Sequence, residues 1–182
     1  ALGDRVGARV LLKAENLQKV GAFKARGATY AVSRIDPKER ARGIITYSSG
    51  NHAQAVAHAA RIFGCKADVF MPVDAPAAKR AAVERYGAQV ALVGTTSDDR
   101  KQAAMEASKR TGARVVEPFD DADIMAGQGT AGLELFNEVP DLDAVYVPVG
   151  SGGPCSGVAL AAQARSTGTS IIGVEPSAAC SL

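Results

Sequence analysis

The sequence predicts an α/β fold, with mainly parallel sheets and helices packed on their faces, from three observations. Short apolar, β-branched runs alternate with helical stretches along the whole chain. Gly, Pro, Ser or Asn punctuates most of the junctions. Small or polar residues build three of the strand-to-helix turns, at 48–52, 94–98 and 150–153. In parallel sheets the space beyond the carboxyl ends of the strands is where ligands bind.

Taken in order, residues 9–15 read as a first strand and 16–21 as a loop. Residues 23–35 carry apolar or small side chains at helical spacing, with Pro37 just beyond. A strand at 43–47 is followed by a helix at 52–63 that stops at Gly64. Residues 67–71 are a strand. The helix at 76–86 has Pro76 near its start and Gly87 at its end. Strands at 89–93 and 114–116 flank a helix at 97–111. Residues 123–139 read as mostly helical, interrupted at Gly127, Gly129 and Gly132. A strand at 143–149, a helix at 154–165 and a strand at 170–174 complete the alternation.

Composition narrows the function. With 21 basic and 19 acidic residues the net charge is +2, which points to neither nucleic acid nor an anionic membrane as partner. Aromatics are 5% with no Trp, too few for a base-stacking platform. No apolar run reaches spanning length and no leader pattern is visible, so a cytoplasmic protein is expected. Cys65, Cys155 and Cys180 lack CxxC spacing, which fits reduced thiols better than a zinc site.

Several segments carry candidate chemistry, each with an ordinary reading beside it. Lys24 follows a Gly-containing loop at a helix start, where a nearby helix N-terminus lowers an amine's pKa. It also suits a solvated helix charge. Gly150-Ser151-Gly152-Gly153 follows an apolar strand and opens a helix at Pro154, a plausible phosphate cradle or a tight turn. It is neither a GxGxxG fingerprint nor a Walker loop. Ser48-Ser49-Gly50-Asn51-His52 offers backbone N–H groups to a carboxylate, or a simple N-cap. Arg100 opens a helix as a surface charge or as a receptor for a second carboxylate. His58 has no partner placed for a triad, and Arg26 is expected to hold a loop or carboxylate.

Together, Lys13-Ala14-Glu15-Asn16-Leu17-Gln18, Phe23-Lys24-Ala25-Arg26-Gly27-Ala28 and Ser48-Ser49-Gly50-Asn51-His52-Ala53-Gln54 resemble the serine/threonine dehydratase family, which depends on pyridoxal phosphate (PLP). Further matches are Met71-Pro72, Gly87-Ala88, Pro118-Phe119-Asp120-Asp121, Ala126-Gly127-Gln128-Gly129-Thr130 and Gly173-Val174-Glu175-Pro176. The resemblance spans nearly the whole chain. It implies the two-lobed tryptophan synthase β-like fold (fold type II), with residues 1–42 and 119–182 in a large lobe and 43–118 in a small mobile one.

By the same resemblance, Lys24 is the covalent anchor of PLP, Phe23 packs beside the ring and Asn51 bonds the ring hydroxyl. The loop at 150–153 and the next backbone position, Pro154, surround the phosphate. Ser48, Ser49, Asn51 and His52 grip the substrate carboxylate, and Ser49 is the second acid/base in racemising relatives. The implied reaction is β-elimination from threonine or serine to a 2-oxo acid and ammonia, in a homo-oligomer. The alternatives are a serine racemase, a 3-hydroxyaspartate dehydratase if Arg100 faces the site, and a non-catalytic PLP-binding protein or inactive fragment.

The chain departs from the family at Ala22, where Ser is usual, and at Ser151, Pro154 and Cys155 in the usually apolar or all-Gly loop. Ser181 stands where an acidic partner of Glu175 holds a cation in some relatives, so no metal is expected. The family continues past the length of this chain, so the sequence reads as truncated at its C-terminus.

Overall fold

The computed structural model describes residues 2–165 and 168–178. A short helix α1 (Leu2–Val6) leads into irregular chain and two 3-10 turns at Glu15–Leu17 and Lys19–Gly21. Helices α2 (Lys24–Arg34) and α3 (Pro37–Arg40) follow. Then come β1 (Ile44–Tyr47), α4 (Asn51–Phe63), β2 (Ala67–Met71), α5 (Ala77–Glu84), β3 (Gln89–Leu92), α6 (Ser97–Thr111) and β4 (Arg114–Val115). The chain continues through α7 (Ala122–Glu138), β5 (Ala144–Pro148), α8 (Gly153–Ala164) and β6 (Ser170–Val174).

Four strands form one parallel sheet in the order β3-β2-β1-β4. β5 and β6 pair in parallel as a second sheet. Alternation along β1 divides the first core. Ile44 joins the cluster of α2 and α4, built from Ala28, Val32, Ala53, Val56 and Ala60. Ile45 and Tyr47 face the other way, onto Ala104 and Ala107 of α6. A third cluster joins Phe136 of α7 to Val147 of β5 and Val158 of α8. The parallel α/β architecture expected from the sequence is present.

Two expectations fail. Residues 9–14 are not a strand, and among the described residues no strand pairs with them. Val10, Leu11 and Leu12 are exposed, so an apolar run without a neighbour for its N–H and C=O groups stays irregular. Lys24 therefore follows a 3-10 turn rather than a strand. Second, α7 runs unbroken through Gly127, Gly129 and Gly132. These glycines are contact points: a Cβ on Gly127 would lie 2.7 Å from the Gly27 Cα, and one on Gly129 2.7 Å from the Gly157 carbonyl oxygen. The missing side chains let α2, α7 and α8 approach at backbone distance.

Candidate active site

Lys24 is the first residue of α2. The turn before it is held tightly: Val20 has φ 60°, a conformation costly for a β-branched residue, and packs on the first core. Ala22, where the family resemblance implies a hydroxyl, is buried in extended backbone. The Lys24 amine donates to the Pro118 carbonyl oxygen at 2.6 Å and lies 5.5 Å from the Phe23 ring centroid. Burial lowers its pKa below the ordinary 10.5, because the charged form loses hydration. A larger share of neutral, nucleophilic amine follows.

Two residues on, Arg26 fixes the helix. Its Nε and Nη2 donate to both oxygens of Glu15, at 2.8 and 2.9 Å. Nη1 and Nη2 donate to both oxygens of Glu134 at 2.7 Å, and Nη1 also donates to Thr130 Oγ1 at 3.1 Å. All five guanidinium donors are used. Lys13 adds a salt bridge to Glu134 at 2.9 Å. The hydrogen bond from Arg26 and then that from Lys13 hold the Glu134 carboxyl at about 2. The partners that the sequence left unnamed for Arg26 are thus two carboxylates that join 3-10 turn, α2 and α7.

At the carboxyl end of β1 the turn at 48–50 opens α4. Gly50 is the N-cap and no side chain caps the helix. Ser48 Oγ accepts from the Gly50 N–H at 3.3 Å. The exposed side chains of Ser49 and Asn51 are not consumed as caps, and the first N–H groups of α4 lack helical partners. The head of α8 is similar: Gly150 has φ 53°, Gly152 is the N-cap with φ 83°, and no side chain caps the helix. A Cβ on Gly150 or Gly152 would meet nothing within 4 Å, so the loop borders open space. Gly150 and Ser151 are exposed, and Pro154 brings no N–H to the first turn. By contrast Thr96 and Asp121 cap α6 and α7 with their side chains. α2, α4 and α8, which carry Lys24, Asn51 and Pro154, all begin without a side-chain cap, as does α5 on Pro76.

His52 is placed differently from a substrate contact. Its side chain is 3% exposed and its Nε2 donates to the Val116 carbonyl oxygen at 3.3 Å. Burial first, and the nearby Lys24 charge second, push its pKa down to about 3, so the ring is neutral. What it offers the turn is its backbone N–H. Arg100 is neither a surface charge nor turned outward: it is 7% exposed and donates to Thr95 O at 3.2 Å and Ser97 Oγ at 3.0 Å. Its Nε is buried without a partner. His58 packs edge-on against Tyr86, away from this chemistry.

Residues 116–118 contribute what sequence reading missed. Val116 O accepts from Thr46 Oγ1 at 2.8 Å as well as from His52. Tyr47 OH donates to Glu117, and Pro118 O holds Lys24. Burial first, then the Glu117 hydrogen bond, raise the Tyr47 pKa. These acceptors are mostly backbone carbonyls, which carry no residue signature. Among the described residues no cluster of His, Cys, Asp or Glu could hold a metal. Ser181 lies outside the described residues.

The residues present fit PLP. They supply one amine of lowered pKa and an open glycine loop at an uncapped helix head for the phosphate. A buried, unpartnered Gln128 Oε1 stands beside Gly153 at that head.

Known proteins agree. The chain is 48% identical over 177 residues to the L-threo-3-hydroxyaspartate ammonia-lyase of Saccharomyces cerevisiae, covering 97% of this chain and 54% of that protein. It is 49% identical over 171 residues to the serine racemase of Schizosaccharomyces pombe, covering 94% and 53%. The structure of processed threonine deaminase isoform 2 from Solanum lycopersicum superposes with a TM-score of 0.92 at 42% identity, covering 96% of this chain and 48% of that one. The chain thus spans about half the length of these relatives. The sequence model described as "Pyridoxal-phosphate dependent enzyme" matches residues 1–182, and the chain belongs to the family of pyridoxal-phosphate dependent enzymes.

Proposed function

We propose that the protein is an ammonia-lyase that eliminates water from a hydroxy amino acid, leaving a 2-oxo acid and ammonia. One observation carries the reading: Lys24 presents a half-buried amine of lowered pKa at the head of an uncapped helix. When bound, PLP supplies the electron sink for the carbanion at the substrate Cα.

The chain's own residues do the rest. The N–H groups at the head of α4, with Ser48, Ser49 and Asn51, hold the substrate carboxylate. Asn51 is also placed to bond the cofactor's ring hydroxyl, and Phe23 to pack beside the ring. Residues 150–154 border the phosphate, whose oxygens accept from the loop's N–H groups. Lys24 Nζ, as the free amine, would be the base that takes the Cα proton. The β-hydroxyl leaves as water, and hydrolysis of the product enamine returns that water and releases ammonia. Residues 43–118, which contain all four strands of the larger sheet, form the small lobe that closes and excludes water. A homo-oligomer in the cytoplasm is part of the reading, in keeping with the free thiols of Cys65 and Cys155.

The buried guanidinium of Arg100 favours a second reading within this class. Its hydrogen bonds go to uncharged acceptors and its Nε has none, which suits an acidic substrate such as 3-hydroxyaspartate. In a racemase reading, Ser49 returns a proton from the face opposite Lys24.

The test is the absorption spectrum of the protein with PLP, and oxo-acid release from threonine, serine and 3-hydroxyaspartate. Lys24→Ala is expected to abolish the substrate-sensitive PLP band and all release. Activity retained in that variant refutes the assignment. Arg100→Ala is expected to impair hydroxyaspartate selectively, whereas equal losses on all three substrates remove the acidic-substrate reading. Optical rotation measured alongside separates racemisation from elimination.

A further inference from the structure

Helix α7 lies between the helix of the anchoring lysine and the helix of the anion cradle, and glycines make both contacts. Gly127 meets Gly27 and Tyr30 of α2, while Gly129 meets Gly157 of α8. Between these two glycines stands one long side chain, Gln128, only 2% exposed. It touches both neighbours. A Cβ on Gly27 would stand 3.1 Å from its Cγ and Nε2, and a Cβ on Gly153 2.6 Å from its Oε1. Gly27 lies one turn after Lys24, and Gly153 is the first residue of α8.

Packing alone does not explain an amide here. Gln128 Oε1 is enclosed and has no hydrogen-bond partner. An enclosed oxygen without a donor costs free energy that an apolar side chain of the same length would not. Among the described residues no side chain caps α8, so the N–H groups of its first turn, at Gly153 and Cys155, are placed to face an anion.

We propose that Gln128 is a positioning residue, whose amide wedged between Gly27 and Gly153 holds the anion cradle in register with the helix that carries Lys24. This rests on the cofactor reading above. One ligand is gripped at two points, by an amine on α2 and by backbone N–H groups on α8. Gln128 sets the relation between them without entering the chemistry.

The test compares two probes, PLP and pyridoxal, which differ by the phosphate. Gln128→Met keeps the length and removes both polar atoms. Its affinity for PLP is expected to fall by about tenfold, the scale of a small loss of register between the two grips on one ligand. Its affinity for pyridoxal stays that of the unaltered protein. The 31P resonance of bound PLP shifts, and the melting temperature of the cofactor-free variant is unchanged or higher. A purely structural glutamine would give equal changes for the two probes, or none, and either result overturns the proposal. Should Gln128→Met not fold, Gln128→Glu keeps the shape and sets a carboxylate beside the cradle. A loss confined to PLP then supports the proposal, and a parallel loss overturns it. The unaltered protein is titrated first: if it is folded and binds no PLP, the cofactor reading falls and this proposal with it.

Discussion

Gly127→Ala sets two opposing effects against each other, and the structure says which prevails. In an isolated helix the change is favourable by about 0.8–1.0 kcal/mol, because alanine loses less backbone entropy on folding. Here the new Cβ would stand 2.7 Å from the Gly27 Cα, 2.7 Å from the Tyr30 Cβ and 2.8 Å from the Arg26 carbonyl oxygen. Carbon pairs rest at roughly 3.5–4.0 Å, so the shortfall is about 1 Å. Two of those three atoms belong to the α2 backbone, which cannot turn aside as a side-chain end can. Overpacking of this kind costs about 1–3 kcal/mol, and a backbone obstacle puts this site at the upper end. The net expectation is a loss of about 2 kcal/mol, or roughly 4–8 °C in melting temperature for a chain of this size. Far-ultraviolet circular dichroism of the cofactor-free protein measures it. Since α2 carries Lys24, PLP affinity falls as well. A variant that melts higher, as helix propensity alone predicts, would refute the close contact of α2 with α7 and the placement of Lys24 built on it.

Three further outcomes follow from the same contacts. His52, with a pKa near 3 in the folded chain, takes up no proton between about pH 6.5 and 3 while the unfolded chain does, so stability drops as pH falls through that window. The slope is about 1.4 kcal/mol per pH unit, and urea midpoints at pH 7, 6 and 5 should show its removal in His52→Leu. Arg26→Met strips five hydrogen bonds from a guanidinium that is mostly buried, leaving Glu15 and Glu134 without it. A loss of about 2–3 kcal/mol is expected in urea unfolding, below the figure for fully buried pairs because Glu134 is half exposed. The stabilisation from Glu134 is present above its unfolded pKa near 4.3 and is lost as pH falls toward about 2; the variant should lack that decline. Finally, the rate at which Lys24 captures PLP should rise with pH to a midpoint below 10.5, as stopped-flow absorbance would record; a midpoint at or above that value contradicts the burial of the amine.

Much of this architecture was readable without coordinates because it is written locally. Gly64 and Gly112 end helices in left-handed backbone, as a glycine after a periodic run implies. The strands at Ala67–Met71 and Ser170–Val174 and the helix at Ser97–Thr111 fall where pattern and capping put them. The turns at 48–52 and 150–153 declared themselves by residue type. Pairing and packing did not. Residues 9–14 have the composition of a strand but no partner among the described residues, and a glycine inside α7 looks the same on paper as a break.

What the sequence by itself determined is the alternation of elements and the open turns, since each depends on neighbours a few residues apart. What only the tertiary structure decided are contacts between distant segments: Pro118 O on Lys24, two carboxylates on Arg26, the inward turn of His52 and Arg100, and Gln128 between two glycines. The physical reason is the same throughout. A backbone carbonyl, an absent Cβ and a buried amide acquire meaning only from what the fold brings to within a few ångströms of them.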